Sequence, residues 1–123
     1  MVLIFTQSKK TVTVQAEVAQ TEEQREQGLM YRKELGENQG MLFIMPYSGN
    51  QEFWMKNTLI PLDLIFIGED LIIKGMVENA IPESTNPLGI SEPSRYVLEV
   101  NGGYCRKNGI QAGDTVKFIR AGE

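Results

Sequence analysis

The chain contains no histidine among its 123 residues. That removes the commonest general base, the commonest zinc ligand and every Ser-His or Cys-His nucleophile arrangement. It has one cysteine, Cys105, so no disulfide can form within the chain and cysteine usage does not report a compartment. Arg106 and Lys107 beside it are placed to lower its thiol pKa, although a lone thiol near a predicted turn reads first as a bystander. No apolar run reaches the ~18 residues that a membrane span needs. The opening stretch Met1–Thr6 is too short for a signal-peptide core. There is no Gly-x-x-x-x-Gly-Lys phosphate loop, no GxGxxG fingerprint and no EF-hand loop. No cofactor and no metal ion is therefore expected from a motif.

Positive charge is also scarce. The formal net charge is −4 and the pI about 4.9. The 12 Lys and Arg are scattered, with adjacent pairs such as Lys9-Lys10 and Arg106-Lys107 but no basic stripe. A nucleic-acid partner, which needs a face that neutralises phosphates, is not expected. What remains is an ordinary globular composition, 41% apolar and 23% charged. The length suits one domain, here residues 1–123, able to bury a core without covalent staples.

Residues 11–19 alternate, with Val12, Val14, Ala16 and Val18 on one face and Thr11, Thr13, Gln15 and Glu17 on the other, as in a strand with one wet face. A helix start follows. Thr21 can cap it, Gln24 completes a capping box, Glu22 and Glu23 complement the helix dipole, and Gly28 stops it. Residues 40–46 form an apolar run closed by Pro46, predicted as a buried strand, and Tyr47–Asn50 has turn chemistry. Phe53–Met55 reads as a short strand. Leu62–Ile67 and Leu71–Val77 read as a hairpin through Gly68-Glu69-Asp70. Pro82, Pro87 and Pro93 make 82–94 an extended loop. Arg95–Val100 is predicted as a strand, 102–108 as one helical turn before Gly109, and Thr115–Arg120 as the last strand. The sum is about seven short strands with one or two short helices and no βαβ alternation. That is a mainly β fold, a compact antiparallel barrel or sandwich.

Four stretches taken in order carry a resemblance. They are Gln24-Arg25-Glu26-Gln27-Gly28-Leu29-Met30-Tyr31-Arg32, Gly40-Met41-Leu42-Phe43, Phe53-Trp54-Met55-Lys56-Asn57-Thr58-Leu59-Ile60-Pro61-Leu62-Asp63 and Tyr96-Val97-Leu98-Glu99. Together they resemble the bacterial and archaeal family called domain of unknown function 192, over about Val12 to Phe118. The Phe-Trp-Met-Lys-Asn-Thr stretch is the most specific part. The resemblance implies a jelly-roll-like fold. It also implies that many relatives carry an N-terminal signal or anchor and work outside the cytoplasm, a feature from which this sequence departs. It carries over no activity.

Three groups of residues invite a chemical reading. Trp54, Lys56, Asn57 and Thr58 place an aromatic beside an amine, an amide and a hydroxyl, a set that suits a sugar or small polar ligand. Equally, Trp54 could be core, with Asn57 and Thr58 bonding a turn. Asp63 stands in an apolar strand on the face of Ile65 and Ile67, where a carboxylate needs a cation or several donors. Arg25, Arg32 and Lys56 are the candidate cations. Glu99 repeats the pattern beside Val97, and the two carboxylates could make an acid/base pair if they lie within ~5–10 Å. Lastly, Met30, Met41, Met45, Met55 and Met76 could bind Cu(I), although methionines more commonly fill cores.

The leading expectation is a non-catalytic binding module for a small polar molecule or saccharide, its cleft lined by Trp54, Lys56, Asn57, Thr58, Asp63, Arg25 and Arg32. The alternatives are a hydrolase using Asp63 and Glu99, a structural or partner-docking domain, and a methionine-based Cu(I) binder.

Overall fold

The structure is a computed structural model that describes residues 1–120. Its elements run β1 (Val2–Phe5), β2 (Thr11–Ala19), α1 (Glu22–Gln27), β3 (Gln39–Gly49), β4 (Leu62–Ile67), β5 (Ile73–Ala80), β6 (Ser94–Asn101), α2 (Tyr104–Asn108) and β7 (Thr115–Phe118). The 7 strands form one sheet in the order β5-β4-β6-β3-β2-β1-β7. The sheet curls into a half-barrel whose outer strands meet end to end. Ile72 bridges Thr115 there, and the Ile73 amide donates to the Asp114 carbonyl at 2.9 Å. Every pairing is antiparallel except β2 with β3, which run parallel because α1 and its following loop carry the chain back between them.

The curl gives the sheet two buried faces. The inner face takes side chains from every strand, among them Val2, Val14, Leu42, Ile65, Ile73, Leu98 and Val116, and is sealed by Tyr104 and Cys105 of α2. The outer face is buried only over the central strands. Leu62, Leu64, Phe66, Val97, Met41 and Phe43 pack there under Leu29 and Met55 from the flanking loops. β4 is therefore buried at all 6 positions, which is why its sequence reads as a nearly unbroken apolar run. At roughly 1.5–3 kcal/mol for each large apolar side chain removed from water, these two layers supply the main driving force for folding.

Several sequence expectations change. β1 pairs between β2 and β7, a strand that the reading of Met1–Thr6 against a signal-peptide core does not identify. Phe53–Met55 is not a strand, and Phe53 makes a single bridge to Leu88. β3 runs on through Pro46 to Gly49, because an irregularity in its pairing with β6 between Ile44 and Gly49 absorbs the residue that cannot donate. The hairpin's return strand starts at Ile73 and extends to Ala80, and β7 ends at Phe118.

Asp63 explains how α2 is held. Its side chain has 0% exposure, on the inner face. Oδ1 accepts from the amides of Asn79 (2.8 Å) and Gly103 (3.1 Å), and Oδ2 from the amide of Cys105 (2.9 Å). Gly103, the N-cap of α2, has φ +88° and no capping side chain of its own, so a carboxylate from the neighbouring strand does that work. Of the two arrangements expected for this carboxylate, a cation or several donors, the structure has the second, and three backbone donors are how it tolerates burial.

Candidate functional site

The helix α1 forms as its sequence dictates. The Thr21 hydroxyl accepts from the Gln24 amide at 3.1 Å, and Gln24 Oε1 accepts from the Thr21 amide at 3.0 Å. Gly28 ends the helix at φ +48°, where a Cβ would come within 3.1 Å of the Phe43 ring. Arg25 then ties α1 to the sheet by donating to the carbonyls of Gln20 and Ile44. Opposite α1 runs the loop 50–61. Phe53 turns inward and meets Phe43 edge-on, with ring centroids 5.1 Å apart.

Between α1, β3 and this loop lies a pocket of about 360 Å³. Phe43, Met45 and Phe53 form its apolar wall, Gln27, Gly28, Leu29 and Met30 its helix side, and Trp54, Lys56 and Thr58 its loop side. Glu22, Glu26 and Glu52 stand among the lining residues. Glu99 of β6 closes it from below, flanked across the sheet by its register partners Met41 and Leu64.

Glu99 is 5% exposed, and no hydrogen bond from a described residue contributes to the environment of its carboxyl. Burial alone pushes its pKa up to about 8. No neighbouring charge contributes to that shift, so neither Arg25 nor Lys56 acts as its counter-ion. At neutral pH the group is mainly a neutral acid, able to donate one hydrogen bond into the pocket and to accept others.

The Trp54 indole is 49% exposed, and Lys56 Nζ lies 5.1 Å above its ring. Asn57 lies just outside the main pocket. Its φ of +55° turns the loop, its carbonyl accepts from the Tyr31 amide at 2.8 Å, and it lines an adjoining cleft of about 550 Å³ shared with Trp54 and Lys56. Thr58 is buried and donates to the Lys56 carbonyl at 3.3 Å.

Of the residues expected to share one cleft, the structure therefore gathers Trp54, Lys56, Thr58 and Arg25 in the pocket and Asn57 beside it. Asp63 belongs to the opposite face of the sheet. Arg32 is spent on a two-pronged ion pair with Glu17 of β2, which lowers the pKa of Glu17. The paired-carboxylate arrangement also falls away, because Asp63 pairs with Val100 and Glu99 with Leu64, which puts the two acids on opposite faces. The methionines are divided. Met41, Met45 and Met55 belong to the outer layer, Met76 packs against the inner one and Met30 borders the pocket. Cys105 is buried, and its thiol pKa is raised by desolvation and by the Asp63 charge, which accords with a bystander thiol and not with an activation by Arg106 and Lys107. Sequence reasoning missed Glu26, Glu52, Phe43 and Phe53 as pocket residues.

The fold and site define a class of β half-barrels in which one face of the sheet carries an aromatic-walled pocket over a buried acid. The chain belongs to the DUF192 family, described as "Uncharacterized ACR", whose model matches residues 3–118. A solved structure from Sinorhizobium meliloti, described as a "putative transcription regulator", is 40% identical, with a TM-score of 0.91 over 94% of this chain and 90% of that one. A protein of unknown function from Novosphingobium aromaticivorans is 38% identical, with a TM-score of 0.91 over 95% of this chain and 83% of that one. No curated protein matches. Among the described residues no helix is long and apolar enough to cross a membrane, and no group of three or more Cys, Asp or Glu is placed to hold a metal ion.

Proposed function

We propose that this chain is a binding module that takes a small polar molecule into the pocket between α1, β3 and the 50–61 loop. One observation carries the reading. Glu99 is almost wholly buried, lines the pocket, and neither a hydrogen bond nor a charge from the described residues contributes to the environment of its carboxyl. A buried carboxyl left without a partner costs stability, and a ligand group that bonds to it recovers that loss on binding. The volume is at the small end of ligand pockets, and apolar walls with a few convergent polar groups are their usual composition. A saccharide is one member of this class, supported by the exposed face of Trp54.

A metabolite thermal-shift panel and a glycan array, run on the wild type and on Glu99→Gln, test the reading. A ligand whose stabilisation is lost in Glu99→Gln supports it. The absence of any stabilising compound or glycan from both screens defeats it.

A hydrolase remains the second reading, because a carboxyl held protonated near neutrality suits a general acid. It has less support, since Asp63 cannot serve as its partner. Regulation of transcription, the description attached to the Sinorhizobium relative, would need a phosphate-binding face for direct DNA contact, and an acidic chain with scattered Lys and Arg offers little support for one.

A further inference from the structure

Resting on that binding reading, we infer that the ligand is a small organic cation whose ammonium group pairs with Glu99 at the base of the pocket, with its carbon skeleton against Phe43, Phe53 and Trp54. The charge around the pocket favours this class. Glu22, Glu26, Glu52 and Glu99 line it against only Arg25 and Lys56, so the lining carries one net negative charge (3 acids against 2 bases) while Glu99 keeps its proton and two (4 against 2) once Glu99 ionises. Arg25 directs its guanidinium to the carbonyls of Gln20 and Ile44. Lys56 forms no salt bridge among the described residues and rests over the Trp54 ring at 5.1 Å. That indole face is thus taken by an ammonium of the chain itself, which leaves Glu99 as the acceptor for the ligand's charge and the aromatic walls for its carbon skeleton.

A neutral sugar fits the base of the pocket less well. Polyol recognition uses several polar groups in a fixed array. The only carboxyl in the deep part of this pocket is Glu99, flanked by Met41 and Leu64. An ammonium needs one strong acceptor and otherwise gains from desolvated aromatic surroundings.

The pairing ties affinity to pH. Empty, Glu99 holds its proton up to about pH 8, and a cation can pair with it only after that proton leaves. The other charged groups facing the pocket are Glu22, Arg25 and Glu26 from α1 and Glu52 and Lys56 from the loop, while β3 and β4 present only apolar neighbours to Glu99. A ligand ammonium with a lysine-like pKa of ~10.4 keeps its charge throughout this range.

The test is an amide NMR titration with n-butylammonium chloride, n-butanol and glucose at pH 6.5, 7.5 and 8.5. The expected result is movement of the Leu29, Met30 and Phe43 amides by n-butylammonium. Its affinity should rise up to about tenfold per pH unit below the Glu99 pKa and then level off. Glu99→Gln should abolish that rise and weaken binding at pH 8.5 by more than tenfold. Trp54→Ala, at an exposed position where folding is not at stake, should weaken n-butylammonium and n-butanol alike, by roughly twofold to tenfold, because only the carbon skeleton meets the indole. Movement of the same amides by n-butanol or glucose, with n-butylammonium no tighter or indifferent to pH and to Glu99→Gln, overturns the cation while leaving the pocket a binding site. If none of the three probes moves those amides, the cation is again overturned, and the wider reading is decided separately by the metabolite and glycan screens.

Discussion

Asp63 and Glu99 lie on adjacent, hydrogen-bonded strands and point to opposite faces of the sheet. The register fixes this, since Asp63 stands across from Val100 and Glu99 across from Leu64. Two carboxylates that look alike in sequence therefore do different work. Asp63 is saturated by backbone donors and holds α2 against the inner face. Glu99 has no donor among the described residues and opens onto a cavity on the outer face.

Asp63→Asn should destabilise the fold by about 2–4 kcal/mol without altering the pocket. The amide replaces one acceptor with a donor, so either the Cys105 amide or the Asn79 and Gly103 amides lose their partner. Chemical denaturation gives the loss, and unchanged amide shifts for Leu29, Met30 and Phe43 give the specificity. Equal stability of the variant and the wild type would show that the capping role is wrong.

Glu99→Gln should have the opposite sign at mildly alkaline pH. The folded-state pKa is raised from 4.5 to about 8, so between these values the native state holds a proton that the unfolded state has released. Stability then falls as pH rises through this window, by up to ~1.4 kcal/mol per unit. Below about pH 4 both states are protonated and the dependence from this group ends. Glutamine keeps the shape without the titration, so its stability curve should be flatter and should cross above the wild type's before pH 8. Parallel denaturation curves for the two proteins from pH 5 to 8 would contradict the burial of an unpartnered acid.

Trp54→Ala should cost less than ~1 kcal/mol. The indole is half exposed, so truncation opens no cavity of the kind that makes buried aromatics expensive. A melting temperature within a few degrees of the wild type is the expected outcome. Loss of the fold would return Trp54 to the core, as one of the two sequence readings had it.

The strands and the capped helix were legible because their signals are local. Period-two alternation in 11–19, the Thr21 and Gln24 box and the Gly68–Asp70 turn each declare an element within a few residues. The two-faced sheet was not legible, since the apolar run of β4 is the same whether its second face meets a helix, a loop or solvent-free packing. The site was legible in part. Trp54, Lys56 and Thr58 stand out by composition, and so did the anomaly of Glu99. Which carboxylate is satisfied depends on donors contributed by Asn79, Gly103 and Cys105, and no sequence period reports donors that far away. Phe43 and Phe53 read as core and strand, so their second role as pocket wall left no separate mark.

Cys105 should be inert in the native state despite its basic neighbours. Arg106 and Lys107 follow it in α2, but both are exposed while the thiol is buried within the inner layer. Desolvation and the nearby Asp63 charge both disfavour the thiolate, which is the reactive species. Modification by a thiol-reactive disulfide at pH 8 should therefore proceed only through opening of the fold. It should accelerate in denaturant in step with unfolding, and it should be faster in Asp63→Asn by about tenfold for each ~1.4 kcal/mol of lost stability, because α2 is then less firmly held. Rapid modification of the native wild type would mean that α2 opens independently of the sheet, and the account of Asp63 as its anchor would go with it.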